Sequence, residues 1–140
     1  MIPFSKQQKT NASQRMQRLI NAINNEINNT SFGYIGSMQR GNRDRITVTD
    51  GAFDVDVDIF VPSNFTDVNA QKIYSEIKQI IKNCLRDGEQ VMLKHSNDGS
   101  EKAIIHIYSN NANYSFDLAI KTHNNYLLSH SKIGNYFYWN

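Results

Sequence analysis

Phe53-Asp-Val-Asp-Val-Asp-Ile-Phe-Val61 decides how this chain is read. Successive side chains of a strand point to opposite faces, so Phe53, Val55, Val57 and Ile59 share one side and Asp54, Asp56 and Asp58 share the other. Pro62 ends the run, because proline has no N–H to give to a ladder. The apolar side calls for a core beneath it. The acidic side is the unusual one: like charges side by side disfavour ionisation and cost stability unless something positive stands between them. A bound cation answers that need, whereas an exposed edge strand that uses charge to discourage aggregation is the simpler alternative.

Upstream, Phe32-Gly-Tyr-Ile35 reads as a short strand entering Gly36-Ser37. Residues 40–51 then form a polar loop carrying Arg40, Arg43 and Arg45. Before it, Met16, Leu19, Ile20, Ile23 and Ile27 repeat at threes and fours, which predicts an amphipathic helix over about 6–29. Its polar face is not strongly basic, so it is expected to pack on the domain and not on a membrane.

Downstream, Thr66 or Asp67 is placed to cap a helix running to about Arg86, with Ile73, Ile77, Ile80, Ile81 and Cys84 as its buried stripe. Val91 to Leu93, Ala103 to Tyr108 and Tyr114 to Ile120 then read as strands of a meander. In the last, Phe116, Leu118 and Ile120 lie on one face and Ser115, Asp117, Ala119 and Lys121 on the other. Asp117 is thus a second acid in the middle of a strand. The expected fold class is α+β, a mixed sheet of about five strands with the two helices on one face and the acids on the opposite one.

At 140 residues, the chain fits one domain, and 39% hydrophobic with 20% charged residues suits a folded protein. A net charge of +2 announces no nucleic acid by bulk attraction, and no DNA partner is expected. Cys84 is alone, which excludes an intramolecular disulfide and a cysteine-rich zinc site. The opening residues lack a signal-peptide pattern and no stretch has membrane-spanning length, so the cytoplasm is the expected location, with no membrane partner. Sequons at Asn11, Asn28, Asn64 and Asn113 are what an asparagine-rich chain produces by chance. His95, His106, His123 and His130 lack the spacing of a shared metal site and read as surface or structural residues. Tyr108, Tyr114, Tyr136, Tyr138 and Trp139 read as core packing in preference to base stacking. The aromatic end, residues 122–140, suggests a chain cut from something longer.

Hard divalent ions such as Mg2+ or Mn2+ take oxygen ligands, usually one or two carboxylates with water and substrate phosphates. Asp54 and Asp56 supply such a pair. Asp117 on a neighbouring strand would allow two ions about 3.5–4 Å apart, the arrangement that activates one oxygen and stabilises another in phosphoryl transfer. Gly36 allows close backbone approach to phosphate, Ser37 adds a hydroxyl, and Arg40 and Arg43 either add charge there or belong to an ordinary exposed loop.

Gly-Ser, a loop, Asp-x-Asp on a strand and a lone Asp on a later strand together resemble the nucleotidyltransferase (polymerase-beta-like) fold. Residues 32–62 in particular look like the bacterial cyclic-oligonucleotide synthases of antiphage signalling, relatives of cyclic GMP-AMP synthase and oligoadenylate synthetase. The resemblance covers the first helix and reaches Asp117. It implies metal ligands at Asp54, Asp56 and Asp117, with Asp58 in reserve because a register using Asp56 and Asp58 also occurs among relatives. It further implies that Asp117 helps deprotonate the acceptor hydroxyl, that nucleoside triphosphates such as ATP and GTP are substrates, and that the product is a cyclic or linear oligonucleotide signal. Arg40-Gly41-Asn42 stands where the family often has Gly-Thr, and the helical second domain of the family is absent. A minimal enzyme acting on a protein or RNA acceptor, and a non-catalytic nucleotide-binding module, are the alternatives. The division expected is one catalytic core, with the first helix at 6–29, the core at 32–121 and the tail at 122–140.

Overall fold

The structure, a computed structural model, describes residues 6–34, 53–62, 70–109 and 114–140. Helix α1 spans Lys6–Glu26 and is followed by β1 (Ser31–Tyr34), β2 (Phe53–Val61), α2 (Ala70–Asn83), β3 (Glu89–His95), β4 (Glu101–Ser109), β5 (Tyr114–Thr122), β6 (Leu128–Ser131) and β7 (Tyr136–Trp139). Five strands make one sheet in the order β1-β2-β5-β4-β3, and β6 and β7 form a separate hairpin. The pairing of β2 with β5 is parallel, and β1 with β2, β4 with β5 and β3 with β4 are antiparallel. The sheet is mixed and five-stranded, as the strand pattern predicts.

Helix α1 ends near where its apolar spacing ends. Met16, Leu19, Ile20, Ile23 and Ile27 are all buried. Ile27 still donates to the Ile23 carbonyl, and two residues later Asn29 turns to a φ of 66°, the left-handed conformation that asparagine tolerates just past a helix. The Asn24 side chain then accepts from the Thr30 N–H, which ties the chain beyond the helix back to its last turn. Helix α2 keeps Ile73, Ile77 and Ile81 inside as expected, with Cys84 against the core. The cap expected at Thr66 or Asp67 lies outside the described residues.

The apolar face of the sheet and the buried stripes of both helices form one core. Val55, Val57, Ile59 and Val61 of β2 meet Phe116, Leu118 and Ile120 of β5 and Ile105 and Ile107 of β4 there. With the helices on that side, the other face of the sheet carries Asp56 and Asp117. The end of the chain is also structured. Leu128, Phe137 and Trp139 are buried, and the Phe137 ring lies 4.2 Å from that of Tyr74 on α2. Gly134 and Asn135, with φ of 88° and 55°, make the turn between β6 and β7. Half of the aromatic tail thus closes the core, while Tyr136 stays exposed.

Beneath the other end of the sheet, Arg15 of α1 reaches into the core. Its Nε donates to Glu89 Oε2 at 2.8 Å, and its Nη2 stands 2.6 Å from Glu89 Oε1. Tyr114 donates its hydroxyl to the same Glu89 carboxylate. Burial alone would push the Glu89 carboxyl up, but hydrogen bonds from Arg15, Tyr114 and the Arg86 amide outweigh it and hold the group below its ordinary value. The Tyr114 hydroxyl is pushed up to about 12, by burial first and then by its bond to Glu89. These three side chains tie α1 to the starts of β3 and β5.

Candidate active site

The parallel register of β2 and β5 sets Asp54 opposite Ser115, Asp56 opposite Asp117 and Asp58 opposite Ala119. Paired residues of neighbouring strands point to the same side, so the Asp56 and Asp117 side chains leave the same face about 5 Å apart at their backbones. Asp56 is exposed and Asp117 half-buried. The two acids expected to act together, read from segments 61 positions apart, are brought side by side. Asp54 lies on the same strand two residues earlier; its side chain is outside the described residues, as are Gly36, Ser37, Arg40 and Arg43.

Asp117 has two basic neighbours. His106, opposite it on β4, places Nδ1 2.6 Å from Asp117 Oδ1, and Lys94 of β3 brings Nζ to 3.3 Å from Oδ2. An ionised carboxylate can only accept, so the hydrogen of this bond is carried by the histidine Nδ1. The ring also stacks against Tyr108 with centroids 5.6 Å apart, which fixes its plane. Lys94 reaches across β4 from an irregularity in β3, where the register jumps between Leu93 and His95.

His106 was read above as a surface or structural residue, and the structure makes it the hydrogen-bond partner of the acid. The signal lay in the hairpin. With residues 110–113 as its connection, every β4–β5 pair sums to the same number, so His106 falls opposite Asp117 as Ser109 falls opposite Tyr114. Lys94 had no such signal, because the β3 irregularity breaks the arithmetic.

Asp58 is different from its neighbours. It is 3% exposed, and Lys121 Nζ stands 2.9 Å from its Oδ2. Its Oδ1 is buried and has no hydrogen-bond partner among the described residues. Gly33 on β1 is opposite it, and a Cβ there would stand 3.2 Å from the Phe60 ring, so this edge is tightly packed. Of the two registers open to the sequence, the one using Asp54 and Asp56 leaves Asp58 to its lysine. The one using Asp56 and Asp58 needs a buried, ion-paired carboxylate to turn outward.

For a divalent ion, the donor set on this face has suitable chemistry: hard carboxylate oxygens on adjacent strands, opening away from the core. Among the described side chains, no group of three or more His, Cys, Asp and Glu is gathered to hold a metal. The Asp54 side chain, expected as a further carboxylate, lies outside the described residues. No described helix is long and apolar enough to cross a membrane.

The sequence matches no family model, and no curated protein is similar to it. Solved structures do resemble it. Vibrio cholerae DncV in its apo form has a TM-score of 0.58 at 12% identity, over 77% of this chain and 30% of that one. The non-canonical poly(A) polymerase complex GLD-2–GLD-3 gives 0.58 at 13% identity, over 85% and 36%. Cid1, described by its RNA terminal uridylyl transferase activity, gives 0.57 at 13%, over 85% and 31%. This chain therefore spans about a third of the length of each. At such identities the likeness is one of fold: a five-stranded mixed sheet, helices on one face and acids on the other, the chain has the nucleotidyltransferase fold.

Proposed function

We propose that this chain is a metal-dependent nucleotidyltransferase core that moves a nucleotidyl group from a nucleoside triphosphate, ATP or GTP, to a ribose hydroxyl with release of pyrophosphate. The observation that supports it most is the register of Asp56 with Asp117 on the face turned away from the helices. The two carboxylates offer hard oxygen donors on adjacent strands of one sheet face, which is the ligand chemistry a divalent ion takes. Asp54, Asp56 and Asp117 would hold Mg2+ or Mn2+. When bound, the ion neutralises phosphate charge and polarises the reacting oxygens.

The chain's own side chains do the positioning. Asp117 Oδ2, which Lys94 approaches at 3.3 Å, is the oxygen that would take a hydrogen bond from the acceptor hydroxyl. His106 pins the other oxygen of that carboxylate, which fixes its plane, and Lys94 adds positive charge beside it. Gly36 and Ser37 would grip the triphosphate, with Arg40 and Arg43 adding charge. Asp58 stays in reserve as a ligand, its Oδ2 paired with Lys121.

For the product, a cyclic or linear oligonucleotide signal in bacterial antiphage defence is the reading we favour, made in the cytoplasm. It is supported by Asp-x-Asp followed by an apolar strand end and Pro62, and by the fold of DncV, a cyclic AMP-GMP synthase studied with GTP bound. Transfer to RNA is the second reading, because GLD-2 and Cid1 match the fold equally well. A protein acceptor, or nucleotide binding without turnover, completes the set.

Incubation with labelled ATP and GTP in magnesium or manganese separates these readings, with Asp54→Ala, Asp56→Ala as the control. Pyrophosphate release and an oligonucleotide product without added acceptor support the signal synthase. Product only with added RNA or protein supports transfer, and binding without turnover in either metal sinks the enzyme reading.

A further inference from the structure

Two lysines stand beside acids of this sheet, and they are held differently. Lys121 Nζ lies 2.9 Å from Asp58 Oδ2, and that carboxylate is 4% exposed, so removing the cation would strand a buried charge. Lys94 Nζ lies 3.3 Å from Asp117 Oδ2, longer than the usual charge-assisted bond of about 2.7–2.9 Å. The two side chains are 40% and 33% exposed. A pair this open adds little to stability, and water replaces Lys94 at Asp117 at small cost.

The backbone of β3 accounts for the reach of Lys94. In the sheet, β3 is separated from β5 by β4. Leu93 pairs with Ile105 and His95 with Glu101, so Lys94 alone stands against residues 102–104 of β4. An irregularity of this kind re-aims a side chain, and this one falls at the root of Lys94. Its ammonium arrives at Oδ2 while His106, opposite Asp117 in the ladder, holds Oδ1. Asp117 thus has one partner fixed by strand pairing and one on a flexible four-carbon stem.

We propose that Lys94 is a displaceable counter-cation: it competes with the divalent ion for Asp117 Oδ2 and moves to the phosphates that arrive with that ion. Asp117 then takes a bare ion poorly and a nucleotide-borne ion well. The inference rests on the metal-dependent transfer reading of the acids and names the residue that couples its two ligands. Two cations at one carboxylate oxygen repel, and a doubly charged ion outweighs an exposed ammonium there. Lys94, once displaced, remains rooted in β3 within reach of Asp117, where incoming phosphate offers the negative charge it has lost. A compact ammonium on a flexible stem suits that exchange, since lysine binds phosphate as a point charge. Its departure also frees Oδ2 for the ion or for the acceptor hydroxyl.

The test measures two affinities of the full chain by electron paramagnetic resonance, at about 0.15 M salt. One is for Mn2+ alone, the other for Mn2+ carried by the α,β-methylene analogue of ATP, which is not cleaved at the reacting bond. Lys94→Met should bind the bare ion about fivefold more tightly and the nucleotide-borne ion about fivefold more weakly, a crossed response that lost packing does not give. Lys94→Arg, which keeps the charge, should stay near wild type in both. Lys102→Met removes the same charge about 13 Å along β4 from His106, beyond the screening length of about 8 Å, and should change bare-ion affinity by less than about twofold. Unchanged bare-ion affinity in Lys94→Met, both affinities moving the same way, or equal tightening in Lys102→Met overturns the role of Lys94 with the metal site intact. No Mn2+ binding, bare or nucleotide-borne, by wild type or by any variant that keeps its thermal midpoint overturns the metal-dependent reading, and the role of Lys94 with it.

Discussion

His106 Nδ1 stands 2.6 Å from Asp117 Oδ1, joining the middle of β4 to the acid of β5 across an antiparallel pair. The bond uses one carboxylate oxygen, and Lys94 stands beside the other. It is the arrangement expected of a residue that orients an acid, because it fixes the carboxylate plane without enclosing it.

Replacing that histidine should therefore cost function far more than stability. We expect His106→Ala to lower nucleotide transfer, or apparent manganese affinity where transfer is too slow, by about 10- to 100-fold. The thermal midpoint should fall only modestly, since the ring is partly exposed and packs on the sheet face turned away from the core. His106→Asn, which keeps a donor, should recover part of the loss. Equal loss in Ala and Asn variants would assign the effect to packing.

Asp58 and Lys121 should behave in the opposite way. Lys121→Met leaves a carboxylate that is 4% exposed without its cation and should destabilise the fold by about 3 kcal/mol in urea unfolding. The double change Asp58→Asn, Lys121→Met should restore most of that, because it removes the charge along with its partner. Metal affinity should survive in the double variant. Its disappearance would restore Asp58 to the ligand set.

Arg15, Glu89 and Tyr114 contribute to the pH dependence of the fold. The Glu89 carboxyl is depressed in the folded state, so its contribution is present above the ordinary carboxylate value and is lost as pH falls through the lower folded one. Tyr114 is raised to about 12, so its contribution is present below the ordinary tyrosine value near 10 and is lost as pH climbs through about 12. Stability measured against pH should thus fall on an acid and an alkaline limb. Tyr114→Phe should make the alkaline limb shallower, with Tyr74, also raised by burial, supplying what is left, and Glu89→Gln should make the acid limb shallower.

Much of this was legible in the sequence, for physical reasons that differ from element to element. The period-two alternation of Phe53 to Val61 and the spacing of Met16 to Ile27 report burial directly, and both elements stand where they were expected. Asp117 stood out because a charge in the middle of an apolar alternation has to face away from the core. His106 was missed because alternation alone gives a strand residue a face and no partner; the partner needs the hairpin register. The β6–β7 hairpin was missed for a related reason. Four-residue strands carry too few alternations to be seen, and their burial depends on contact with Tyr74 from a distant helix. Lys94 depends on a break in register, which no local pattern reports.

The pairing of Asp56 with Asp117 is best tested with a paramagnetic ion. Mn2+ added with ATP to the full chain should broaden amides around Asp56 on β2 and Asp117 on β5 first, and Asp56→Asn with Asp117→Asn should abolish that broadening while the fold persists. Broadening centred elsewhere, or unchanged in the double variant, would contradict a metal site between these two strands.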